Sequence, residues 1–298
     1  LLHGMPSSAA PKHLFVLADE ITPRIAWSVL TWPGQTGPLL DTTTVELVHF
    51  DNTSTTDAAN DAAPLHVIVA SQQAQNDSKL ASLATASAEP QLIQTALSSA
   101  ANTAQGQHPV LIADNGAATR EAVLSALAEP GAWVHIAAHG TAQPQRIGYA
   151  GLWLEPSGED KTPAFLSWLD ILDKGVRAGL VVLNACQLGD SGNAINGNLS
   201  FAAAVSRAGA RQVVAALWPV SDSAAALWVP AFYSALVADP DHNAAAALRA
   251  AQLRLRASRA FAHPFFWAGM QATSRLSLPA PTLSSAPIAT KTHGDKLH

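Results

Sequence analysis

Two residues of this 298-residue chain have the types and spacing for covalent catalysis: His139 and Cys186. A thiolate can attack a carbonyl carbon while an imidazole takes the thiol proton and later protonates the leaving amine. Each residue stands at the end of an apolar run: AWVHIAAHG ends in His139-Gly140, and LVVLNACQLG carries Cys186. They lie 47 positions apart, which leaves room for one strand, one helix and a return. If the two strands are parallel neighbours, both side chains emerge at one edge of a sheet. Gly140 has no Cβ, so its N–H can face a substrate closely, and with the N–H of Cys186 it can form an oxyanion hole. The plainer readings stand beside this one. A lone cysteine is usually a small buried hydrophobe, and a histidine at a strand end is usually a satisfied polar residue. Spacing alone does not choose between them.

Composition narrows the alternatives. Cys186 is the single cysteine, which excludes an internal disulfide framework and any cysteine-cluster metal site. With 17 basic and 22 acidic residues the formal net charge is -5, so the basic footprint of a direct nucleic-acid binder is missing. The eleven histidines show no His-x-x-x-His or His-Glu-x-x-His spacing, and neither a metal nor a cofactor is expected. Gly189, Gly192 and Gly197 do not make a phosphate loop, which weakens a nucleotide-binding reading, and there is no Gly-x-Ser-x-Gly elbow. The longest apolar stretch, Ala224–Ala238, is interrupted by Pro230 and Ser234 and is too short for a bilayer, so no membrane partner is expected. Leu1–Pro11 lacks the basic and apolar regions of a signal peptide, and the chain lacks an initiator Met. The expectation is a fragment or processed chain in the cytoplasm, where a free thiol stays reduced.

Elements able to present the two residues can be read from periodicity. His13–Ala18, Thr44–Phe50, Leu65–Ala70, Val110–Ala113, Trp133–Ala138, Leu180–Asn184 and Val213–Leu217 read as strands. Trp133–Ala138 and Leu180–Asn184 are near-continuous apolar runs, as expected of strands buried on both faces. Leu83–Ala100, Ala118–Ala128, Phe201–Ala208, Ser223–Ala238 and Asn243–Arg259 read as helices. A further helix is marked by a Ser167…Asp170 capping box and stopped by Gly175. This order predicts an α/β fold with a mostly parallel sheet and helices on both faces, its functional groups at the carboxyl ends of strands. Asp51–Pro64 and the tail from Leu278 to His298 are polar and expected to be disordered.

The joint pattern of strand–His-Gly, helix and strand–Ala-Cys matches the caspase arrangement, in which the histidine lies about 50 residues upstream of the cysteine. More motifs follow in order: GLWLEP (Gly151–Pro156), AGARQVVAALWPVSD (Ala208–Asp222), AFYSAL (Ala231–Leu236), AALRAAQ (Ala246–Gln252) and HPFFWAG (His263–Gly269). Upstream, Leu14–Leu30 and Ala113–Leu127 fit the opening and the helix before the histidine. On these residues the chain resembles the CHAT-domain family of caspase-like (clan CD) peptidases, often appended to tetratricopeptide repeats. It is more distantly similar to the separase protease domain. The resemblance implies a three-layer α/β/α sandwich and a cysteine endopeptidase, with His139 and Cys186 as a dyad and no required third residue. It implies a domain over 14–275, divided at about residue 130, between an N-terminal flank (1–13) and a tail (276–298). Asn184 stands where the family often has Ser, and the loop Asp190–Asn198 is longer and more polar than the family pattern.

Asp222 carries two readings. It is a favoured residue type for capping the helix expected from Ser223. The similar separase run Trp-x-Val-x-Asp instead places this acid by the S1 pocket, where it would pair with a basic P1 residue. Asp190 is a further S1 candidate whose plainer reading is a solvated loop residue. His135 is expected in the core or behind the site, His263 to anchor the last strand, and Arg249, Arg254, Arg256 and Arg259 to form a solvated helix face. The implied partners are a protein or peptide substrate and an activating partner or regulatory repeat or sensor region. The alternative function is a catalytically latent interaction module that keeps the fold.

Overall fold

The computed structural model describes residues 2, 5, 9–19, 22–51, 63–70, 83, 86–100, 109–114, 117–142, 150–157, 164–185 and 200–277. In chain order the elements are β1 (His13–Leu17), β2 (Thr44–Asp51), β3 (Leu65–Val69), α1 (Glu89–Ala100), β4 (Val110–Ala113), α2 (Arg120–Ala128) and β5 (Trp133–Ala137). There follow β6 (His139–Ala142), β7 (Ala150–Leu154), β8 (Ala164–Ser167), α3 (Trp168–Lys174), β9 (Leu180–Asn184) and α4 (Phe201–Ala208). The last are β10 (Gln212–Ala216), α5 (Asp222–Ala238), α6 (Ala244–Ala257), α7 (Pro264–Trp267) and β11 (Met270–Ser277).

Eight strands form one sheet in the order β1-β2-β11-β10-β9-β5-β3-β4. Only the β10–β11 pairing among them is antiparallel. Alternate residues of the central strands feed two cores, which is why β5 and β9 read as near-continuous apolar runs. Trp133, Ala137, Leu180 and Val182 pack with Ile93 of α1, Trp228 and Phe232 of α5 and Leu248 of α6. Val134, Ile136, Val181 and Leu183 pack with Val123 of α2, Ile171 of α3 and Phe201 of α4. Helices therefore cover both faces, and the architecture is the mostly parallel α/β fold expected from the order of elements. A third cluster joins Leu2, Trp27, Trp32 and Leu39 to Val16 of β1 and Leu47 of β2.

Local signals set the ends of the helices. Ser167 and Asp170 make a reciprocal capping box on α3, and Gly175 ends it with φ 73°. Ser200 caps α4, whose C-cap Gly209 has φ 135°; a Cβ there would lie 2.1 Å from the carbonyl oxygen of Val176. The polar stretch at 52–62, the loop 190–198 and the tail 278–298 lie outside the described residues, whereas Asp51 ends β2 and Ala63 is buried.

A second sheet was not anticipated. β6, β7 and β8 form a separate three-stranded antiparallel sheet between β5 and α3 in the chain. Its last strand runs directly into the capping box. Burial alone would raise the Asp170 carboxyl, but hydrogen bonds from the Ser167 hydroxyl and N–H, and then the Arg120 guanidinium 2.7 Å away, hold it below its ordinary value of 3.8. The folded state thus binds this proton less readily than the unfolded state. The stabilisation is complete above the unfolded value and is lost as pH falls through the folded one. Ser167→Ala is expected to cost about 1 kcal/mol at neutral pH. It should also flatten the acid loss of stability, as urea melts between about pH 6 and pH 2 would show.

Candidate active site

The parallel pairing of β5 with β9 runs from Trp133↔Leu180 through His135↔Val182 to Ala137↔Asn184. His139 follows Ala137 by two residues, and in sequence Cys186 follows Asn184 by two. His139 opens β6, is half-buried, and pairs across the small sheet with Trp153 of β7. Trp153 in turn leans on Phe165 of β8, with ring centroids 5.0 Å apart. Gly140 pairs with Leu152. The small sheet thus holds the histidine and the glycine after it, while the large sheet supplies the strands leading to both candidate residues. Cys186 and Asp190 lie outside the described residues.

Asp222 is the first residue of α5, and Ser221 before it is the N-cap. The capping reading of Asp222 is thereby corrected: the extended backbone that a cap requires is at Ser221, with φ -66° and ψ 129°. The Ser221 hydroxyl meets that of Ser223 at 2.9 Å instead of capping the helix.

Behind the strand ends sits a buried polar group that sequence reading caught only in part. His135 is fully buried, as expected of a core position. Its Nε2 lies 2.6 Å from Oε2 of Glu89, and its Nδ1 lies 3.0 Å from the hydroxyl of Tyr233. Oε1 of Glu89 accepts from Nδ2 of Asn184 at 2.5 Å. Both carboxyl oxygens are therefore occupied, as a carboxyl group only 1% exposed requires. Burial, and then the neighbouring Glu89 carboxyl, push the Tyr233 phenol well above its usual range, so its hydroxyl keeps its proton. Glu89 and Tyr233 escaped sequence reading because they lie 46 and 98 residues from His135. Their only local signals, an acid opening a helix and a tyrosine in an apolar run, are ordinary core and capping features.

Two minor expectations are revised. His263 does not anchor the last strand; its Nδ1 accepts from the N–H of Phe265 and caps α7. Arg249 and Arg256 are not simply solvated, because Arg249 donates to the carbonyls of Leu40 and Asp41 and Arg256 pairs with the Asp41 carboxylate. A surface cleft lined by Trp27, Leu40, Leu248, Arg249 and Met270 among others contains none of the candidate residues. Among the described residues, no cluster of three or more His, Cys, Asp or Glu could hold a metal ion. No helix among them is long and apolar enough to cross a membrane.

Comparison with known proteins agrees with the fold. Tetratricopeptide repeat protein 28 of Homo sapiens is 36% identical over 118 residues, covering 39% of this chain and 5% of that protein. The Mus musculus protein of the same name is 38% identical over 104 residues, covering 35% of this chain and 4% of the relative. The matched stretch is thus a small fraction of these relatives' length. The crystal structure of the Arg specific cysteine proteinase gingipain R aligns with a TM-score of 0.53 at 10% identity, over 88% of this chain and 62% of that one. A structure described as a protease aligns with a TM-score of 0.55 at 13% identity, over 91% of this chain and 65% of that one. At such identities the likeness concerns the fold, which is caspase-like. The CHAT domain matches residues 1–275. With that match extending from its first residue to within β11, the chain belongs to the CHAT domain family.

Proposed function

We propose that the chain is a cysteine endopeptidase whose dyad is His139 and Cys186. The observation that carries this reading is the β5–β9 register. Each candidate lies two residues beyond the last parallel pair, Ala137↔Asn184, and a caspase-like sheet gathers its chemistry at such carboxyl ends. The Cys186 thiolate attacks the scissile carbonyl, and the oxyanion takes hydrogen bonds from the N–H groups of Gly140 and Cys186. His139 protonates the departing amine, leaving a thioester. Water, deprotonated by His139, then hydrolyses the thioester and frees the thiol.

In this reading the substrate is a protein cut after a basic P1 residue, with Asp222, and secondarily Asp190, providing the carboxylate that meets it. Support comes from the name of the Arg specific proteinase that shares the fold and from the position of Asp222 at the start of α5, after β10. The domain spans about 14–275, works in the cytoplasm, and is gated by a repeat or sensor region, which the tetratricopeptide relatives suggest. Those same relatives are named for repeats and not for peptidase activity, which favours a second reading, a latent interaction module.

A tetrapeptide library varied at P1 tests the proposal. Cleavage after Arg and Lys is expected, and Asp222→Ala should weaken that preference by about tenfold or more, the equivalent of one charge-assisted pair. An unchanged P1 profile in the variant would remove Asp222 from the pocket, and no cleavage at any P1 residue would favour the latent module.

A further inference from the structure

The Glu89–His135–Tyr233–Asn184 group is a buried polar assembly, and the dyad chemistry does not use it. It joins four elements, two helices and two strands. Glu89 opens α1, Tyr233 belongs to α5, and His135 and Asn184 belong to the two strands that end in the candidate dyad. By register His135 pairs with Val182, and Asn184 with Ala137, so both face the same side of the sheet as Ala137 and Val182, under α1 and α5. One carboxyl group therefore holds β5 four residues before His139 and β9 two residues before Cys186.

We propose that Glu89 is a positioning residue: by gripping His135 with one oxygen and Asn184 with the other, it fixes the relative height of the strand ends that deliver His139 and Cys186. This rests on the dyad reading above. The β5–β9 backbone ladder sets the register but ends at Ala137↔Asn184, and the apolar contacts around the strand ends lack direction and leave freedom in their height and tilt. A short hydrogen-bonded bridge between polar side chains on both strands removes that freedom, and buried networks of this kind tolerate few other arrangements. Proton exchange between thiol and imidazole demands hydrogen-bond reach, and a displacement of about 1 Å can cost about 10²-fold. Tyr233 completes the grip by facing the second nitrogen of His135, and its hydroxyl proton is retained across the ordinary pH range.

The single cysteine makes the test clean, because iodoacetamide alkylation of the full chain reports on Cys186 alone. The thiolate displaces iodide, so the rate follows thiolate formation and access. Rates are measured from about pH 6 to pH 10 for the wild type, Glu89→Gln, Asn184→Ala and His139→Ala, with circular dichroism to certify each fold. Asn184→Ala removes one arm only and leaves Glu89 paired with His135, so it decides the matter if Glu89→Gln does not fold. The expected wild-type profile keeps a fast limb below about pH 7, which His139→Ala abolishes. Glu89→Gln and Asn184→Ala should slow that limb about tenfold or more while matching wild type near pH 10, where the thiol ionises unaided. A profile equal to wild type in folded Glu89→Gln and Asn184→Ala, with His139→Ala shifted, overturns the positioning role and leaves the dyad standing. A change by one factor at every pH also overturns it, since that marks altered access. A His139→Ala profile equal to wild type overturns the dyad itself, and this inference with it.

Discussion

Replacing His139 by alanine is expected to lower kcat/KM for peptide cleavage by about 10²–10⁴-fold, the contribution of a positioned general acid and base. The loss should fall mainly on kcat. The imidazole acts on protons that move in the transition state and contributes little to holding the peptide beforehand. Cys186→Ala should remove cleavage altogether, because no other cysteine exists to form the thioester. Substitution of both residues should cost no more than Cys186→Ala alone, since groups that act as a unit do not contribute additively. Hydrolysis of a fluorogenic peptide ending in Arg checks all three variants. Equal kcat/KM in wild type and His139→Ala would contradict the assignment.

Gly151→Ala is expected to be the most damaging small substitution near the site. Gly151 lies in β7, between Thr141 of β6 and Ser167 of β8. An added Cβ would lie 2.1 Å from the carbonyl oxygen of Leu166, 2.9 Å from its carbon and 2.8 Å from the ring tip of Phe165. The phenyl ring can turn aside, but the carbonyl cannot. It belongs to β8, which leads directly into the capping box of α3 and the Arg120–Asp170 ion pair. The strand must therefore move away from β8, carrying β6 and His139 with it. The expected cost is about 3 kcal/mol, at the upper end for an overpacked site, together with loss of cleavage. Urea denaturation measures the first and the peptide assay the second. A variant within about 0.5 kcal/mol of wild type would contradict this packing.

Strong local patterns made much of the large sheet legible. β5 and β9 are apolar apart from His135 and Asn184 because both of their faces are buried, and the box at Ser167 and Asp170 stands in the sequence as it stands in the fold. The resemblance to CHAT domains, carried by ordered motifs, agrees with the family found. The small sheet was not legible, because its strands are only four or five residues long and β6 begins His-Gly, a pair with little preference for extended structure. Ser221, not Asp222, occupies the N-cap position of α5, since both residue types suit the position and only the backbone angles separate them. The clamp of Glu89 on His135 and Asn184 depends on contacts far apart in the chain, which no periodicity encodes. Sequence thus nominated His139 and Cys186 from the strands they follow, while the polar contacts that join those strands emerged from tertiary packing.

Activation of Cys186 by His139 is tested most directly by a peptide electrophile ending in Arg, with mass spectrometry locating the adduct. The expected result is a single adduct on Cys186 at neutral pH, formed at least about 10²-fold more slowly in His139→Ala. Labelling of wild type and His139→Ala at the same rate would contradict it.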